Sequence, residues 1–155
     1  MSAIIILVSI VLSLSRITTT YTEPVKPTVK AHEVTIYIFR GNGCPHCTDA
    51  VQYFNSHHID KVNVITYEVW YNPNNKNLYS LVAKEFDLNS KGVPFIIVGD
   101  TYYFIGFSNG EDIMNIALKE TQNKDYVDLV QKIIEKNNLN NITATSIEEA
   151  MEEEM

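Results

Sequence analysis

The sequence predicts an α/β domain, on three observations. Apolar runs rich in β-branched and aromatic residues alternate with stretches of helical spacing. The order along the chain is β-α-β-α-β-β-α. The two cysteines of the chain fall together at the first strand-to-helix junction, as Cys44-Pro45-His46-Cys47. At 155 residues the chain is long enough for one domain with a real core and too short for two of typical size.

Ala3 to Leu14 is an uncharged apolar run of the length expected for the core of a signal peptide. It is shorter than the roughly twenty apolar residues that a membrane span needs. Ser13 and Ser15 are small enough for a cleavage site, although no Lys or Arg precedes the run. Residues 1–15 are therefore expected to be a signal peptide or N-terminal anchor, and the Thr- and Pro-containing residues 16–31 a linker. The folded domain is expected over 32–138, followed by an acidic C-terminal tail over 139–155. An extracytoplasmic location follows as an expectation, secreted or tethered to a membrane through residues 3–14. An oxidising compartment there would let a dithiol pair act as an oxidant or isomerase.

Within the domain, Val34 to Phe39 reads as a buried strand, broken by Gly41-Asn42-Gly43. Pro45 suits the first turn of the helix that follows, which ends near Ser56-His57-His58. Val62 to Trp70 is a second strand, closed by a turn over Asn72-Pro73-Asn74-Asn75. Leu78, Leu81, Val82, Ala83 and Phe86 form a helical stripe. Phe95 to Val98 and Tyr102 to Ile105 flank Gly99-Asp100-Thr101, a short hairpin signal. Ile113, Ile116 and Ala117, then Leu129, Val130, Ile133 and Ile134, mark helices toward the C-terminus. The net charge of −7 is unevenly placed, with Glu148, Glu149, Glu152, Glu153 and Glu154 gathered near the end. That stretch reads as a solvated end, with an interaction tail as the alternative. No basic patch with interleaved aromatics occurs, which argues against nucleic acid as a partner.

Two thiols separated by two residues are placed to exchange electrons as a dithiol/disulfide pair. The first sits at a helix N-terminus, where unpaired N–H groups and the helix dipole favour a thiolate. The second lies one turn further in, close enough to attack a mixed disulfide formed by the first. Half of a zinc site is a competing reading, but His32, His57 and His58 show no metal-like spacing with His46. A purely structural disulfide across so short a loop would constrain the unfolded chain little. Redox chemistry is the better account, with no metal and no organic cofactor required.

Over roughly Val34 to Thr121 this arrangement resembles the thioredoxin superfamily. The resemblance rests on the CxxC at the strand–helix junction and on Gly92-Val93-Pro94-Phe95, which opens the third strand. It implies a thioredoxin-like fold: a central mixed sheet of about four strands flanked by helices, here with an extra C-terminal helix. In the family this proline is cis and faces the two sulfurs, and an X–Pro bond accepts the cis form at little cost. Cys-Pro-His-Cys, with Val93 before the proline, is similar to the exported thiol oxidases of the DsbA type. Gly41-Asn42-Gly43 before the motif, and Val93 to Gly99, are also similar to glutaredoxins. The glutathione-holding Gly-Gly-x-x-Asp of glutaredoxins is matched imperfectly by Gly106 to Asp112. Ile38 stands where thioredoxin and DsbA carry a buried acidic residue.

The implied activity is a thiol–disulfide oxidoreductase acting on protein cysteines, as oxidase, isomerase or reductase. Cys44 would be the nucleophile and Cys47 the resolving thiol, with Pro45 and His46 between them and His46 supporting negative charge on Cys44. Pro94, with Val93 and Gly92, would shape the groove where a substrate peptide lies. The expected partners are protein thiols and disulfides, and a redox partner that recycles the pair; the chain is expected to be a monomer. The alternatives are a binding or metal-carrying module without redox turnover, and a glutathione-dependent reductase. Trp70 and Tyr71 read first as strand-end aromatics packed on the core, and only second as a border of the substrate groove.

Overall fold

The computed structural model describes residues 31–89 and 92–155. The expected leader over 1–15, and the linker up to residue 30, lie outside the described residues. The elements run β1 Val34–Arg40, α1 Pro45–Ser56, β2 Val62–Glu68, α2 Pro73–Glu85, β3 Phe95–Val98 and β4 Tyr102–Ile105. They continue with α3 Gly110–Glu120, α4 Leu129–Lys136, β5 Thr145–Ser146 and α5 Ile147–Glu154. One open mixed sheet results, in the order β4-β3-β1-β2-β5. β1 pairs parallel with β2 and antiparallel with β3, while β4 and β5 join antiparallel at the two edges.

Alternation along β1 divides the core. Val34, Ile36 and Ile38 point to one face, where they pack with Ala50, Val51 and Phe54 of α1, Ile113 and Ala117 of α3, and Ile147 and Ala150 of α5. Tyr37 and Phe39 point to the other, against Leu78 and Val82 of α2 and Val130 and Ile133 of α4. Helices thus cover both faces of a sheet whose central strand has almost no exposed side chain. Tyr37 also donates a hydrogen bond of 2.8 Å to Asp128, whose other oxygen caps the N-terminus of α4 by accepting from Gln131 N–H.

Three expectations need correction. The sheet has five strands rather than about four, because Thr145 and Ser146 pair with Thr66 and Ile65. A two-residue strand carries no periodicity of its own and exists through its partner. The acidic stretch is not a solvated end: it folds as α5, with Ile147 and Ala150 buried and Ser146 and Glu149 forming a reciprocal capping box. The turn expected over Asn72–Asn75 is the start of α2, where Asn72 accepts from the N–H groups of Asn74 and Asn75 and Pro73 opens the helix. Asn75 is buried and exchanges two 2.9 Å hydrogen bonds with the backbone of Thr143, which ties the segment before β5 to α2.

Candidate active site

Sheet register assembles the site. Arg40 and Glu68 are partners at the ends of β1 and β2, and Phe39 faces Phe95 at the start of β3. The loop after β1, the turn after β2 and the residues before β3 therefore emerge at one edge of the sheet. Those segments carry Cys44, Trp70 and Pro94. Gly43 adopts φ +81°, a left-handed backbone that brings the chain into α1. Gly41 lies directly under the Trp70 ring, and an added Cβ there would overlap the indole. Glu68 organises the same edge: its carboxylate accepts from the N–H groups of Trp70, Tyr71 and Asn72 at 2.8, 2.9 and 3.0 Å.

Cys44 is the N-cap of α1 and Pro45 occupies its first turn. The carbonyl of Cys44 accepts from the N–H groups of Cys47 and Thr48 at 2.9 and 3.0 Å, which starts the helix. Both cysteines are free thiols, and they approach each other to 2.6 Å. Cys44 retains 6 % of its surface and Cys47 none, so an incoming sulfur can reach only Cys44. The Cys47 thiol is pushed well above its ordinary range, first by burial and then by its contact with Cys44; Glu154 adds a smaller repulsion.

The Val93–Pro94 peptide is cis, and the Cys44 Sγ lies 3.9 Å from the Val93 carbonyl oxygen. The Pro94 carbonyl accepts from Gly106 N–H at 2.8 Å, and Tyr79 donates to the Gly92 carbonyl at 3.0 Å. The segment expected to shape a groove thus stands beside the first cysteine, braced from β4 and α2. His46 points outward, with the carboxylate of Asp49 3.9 Å from its Nδ1. Trp70 and Tyr71 do not pack into the core as first expected: they are 50 % and 77 % exposed. Trp70 instead lines a depression with Val69, Lys76, Tyr79 and Val93, beside the segment that faces Cys44.

Sequence reasoning missed the groups beneath the motif. Arg40 is wholly buried and on the same sheet face as α1. Its guanidinium donates to Thr66 Oγ1 at 3.2 Å, to Glu154 at 3.1 Å and to Glu153. The second oxygen of Glu154 accepts from the hydroxyl of Thr48, the residue after Cys47, at 2.6 Å. An arginine closing an otherwise apolar strand was one available signal, and the Ser146-x-x-Glu149 capping box was another. Among the described residues no group of three or more His, Cys, Asp or Glu side chains is arranged to hold a metal ion. Compared with protein-family models, with curated proteins and with solved structures, the chain matches none.

Proposed function

We propose that the protein is a thiol–disulfide oxidoreductase with a thioredoxin-like fold, acting on cysteines of polypeptide substrates. The observation that carries this reading is the placement of the two thiols. One is accessible at a helix N-terminus, and the other is buried one turn on and within reach of the first. The fold assignment draws on the order β4-β3-β1-β2 within the sheet and on the cis proline beside Cys44. In the reducing direction the Cys44 thiolate attacks a substrate disulfide, one substrate sulfur leaves as a thiol, and a mixed disulfide forms. Cys47 then loses its proton and attacks Cys44, the second substrate sulfur leaves and takes up a proton, and the Cys44–Cys47 disulfide closes. The reverse sequence oxidises a substrate dithiol.

Cys44 stands at the N-terminal, positive end of the α1 dipole, a setting suited to a reacting sulfur in both directions. A substrate strand laid along Val93 and Pro94 would place an adjacent side chain against Trp70 and Tyr79. We further propose that the protein works in an oxidising compartment reached through its apolar N-terminal run, where the pair is recycled by a redox partner. Turnover of a protein disulfide or dithiol substrate is the test. Purified protein should be active, Cys44→Ser inactive, and Cys47→Ser should accumulate mixed disulfides. Folded protein with no activity, or Cys44→Ser equal to wild type, would sink the reading.

A further inference from the structure

We propose that Glu154, on the last turn of α5, is a positioning residue of the dithiol site that sets how readily Cys47 closes the disulfide with Cys44. This rests on the redox reading above and extends the site to the far end of the chain. A carboxylate at the end of an acidic helix would ordinarily face water. This one does not: its side chain is 4 % exposed, against 48 % for neighbouring Glu153. Each of its oxygens has a donor, Arg40 on one side and Thr48 on the other. Thr48 in turn sits 3.3 Å from the carbonyl of Cys44, so the carboxylate is joined through one hydroxyl to the turn that carries both sulfurs.

The charges around Cys47 are few. From β1 there is Arg40, from α5 Glu153 and Glu154, and from β2 Glu68, whose carboxylate lies 3.4 Å from the N–H of Asn42. On α1 itself His46 and Asp49 point to solvent. Glu154 is the carboxylate among them that is both buried and bonded to the residue adjoining Cys47. In a poorly solvated setting its charge opposes a second negative charge on that sulfur.

Oxidising the pair removes two electrons and two thiol protons, which pass to a substrate disulfide and reduce it to two thiols. Closing the disulfide requires Cys47 to lose its proton and attack Cys44, so a nearby negative charge that disfavours its thiolate slows that step. Neutralising Glu154 has the opposite effect. It also leaves Arg40 with more uncompensated positive charge, which favours thiolates and acts in the same direction.

The experiment follows, by stopped flow, the release of a chromogenic thiol from a mixed disulfide formed on Cys44 of the full chain, with thiol titration alongside. Glu154→Gln should release that thiol about tenfold faster near neutral pH, as Cys47 ionises more readily. Its Cys47 thiol should titrate lower than in the wild type. Glu152→Gln removes the same charge from an exposed position on the same helix and should leave both readouts unchanged. A folded Glu154→Gln protein with wild-type release rate and titration would overturn the proposal, as would an equal acceleration in Glu152→Gln. If Glu154→Gln lost its cooperative melt, Thr48→Val would carry the test. Losing the hydroxyl that disperses the carboxylate charge should slow the release by a smaller factor, and an unchanged rate would count against Glu154. Failure of the wild-type protein to form the disulfide at any glutathione ratio would instead refute the redox reading itself.

Discussion

Trp70 shows how one residue's exposure carries meaning. Its ring covers Gly41 and is half-exposed beside the segment facing Cys44. A large aromatic there adds little to core burial, so Trp70→Ala should change stability modestly. It should nonetheless lower kcat/KM about tenfold for cysteine peptides with an apolar neighbour, a loss of about 1.4 kcal/mol in binding. A small dithiol that cannot reach Trp70 should react as before, and equal losses on both substrates would remove Trp70 from the groove. Gly41→Ala tests the same contact from below. The methyl group must displace the indole, with a cost of about 1–3 kcal/mol for overpacking. Because Trp70 is the single tryptophan of the chain, its fluorescence should move with that substitution. Unchanged emission and stability would show that the ring does not rest on Gly41.

Among the elements, α5 is the one whose sequence most disguises its role. Five of its eight residues are glutamates, and only Ile147 and Ala150 are buried apolar side chains. What holds the helix is its capping box, its packing against α1, and the ion pairs of Arg40 with Glu153 and Glu154. Ser146→Ala removes the acceptor for Glu149 N–H and should destabilise the protein by about 1 kcal/mol in chemical denaturation. Asn75→Ala should be more damaging, at about 2 kcal/mol, since it removes two hydrogen bonds to the Thr143 backbone at once and empties a buried position. A smaller loss for Asn75→Ala than for Ser146→Ala would mean that the approach to β5 is held by other contacts.

For the whole molecule, buried hydroxyls govern the alkaline limit. Burial raises Tyr67, Tyr79 and Tyr126 to about 12, and pushes Tyr37 higher still, with the Asp128 charge adding to it. Each folded-state value lies above the unfolded one of 10.0, so the protonated form is favoured in the fold. The contribution is complete below about pH 10 and is lost as pH rises through the folded values. Cys47 acts in the same direction from about pH 9. Stability should therefore hold to about pH 9, start to fall with Cys47, and above about pH 10 fall more steeply than the roughly 1.4 kcal/mol per pH unit of one proton. Tyr37→Phe should lose about 1 kcal/mol near neutral pH, with its bond to Asp128, and flatten part of the alkaline slope. A wild-type slope no steeper than that of one proton would mean the tyrosines open to solvent before the fold gives way.

By itself the sequence determined the parts whose information is local. Val34, Ile36 and Ile38 alternate with Tyr37 and Phe39, so β1 was legible as a strand, and Pro45 after the cysteine marked the start of α1. The hairpin of β3 and β4 was legible for the same reason, its two strands standing on either side of Gly99-Asp100-Thr101. The cysteine pair could be read as a dithiol from spacing alone. Only the tertiary structure decided what lies beneath that pair. Arg40 meets Glu154 across 114 positions of chain, and Asn75 meets Thr143 across 68. No periodicity within a window of one helix or strand encodes such a meeting. A strand of two residues and a helix rich in glutamate look like a solvated end until a buried guanidinium and the edge of β2 give them partners, because burial of charge is favourable only where a counter-charge is already in place.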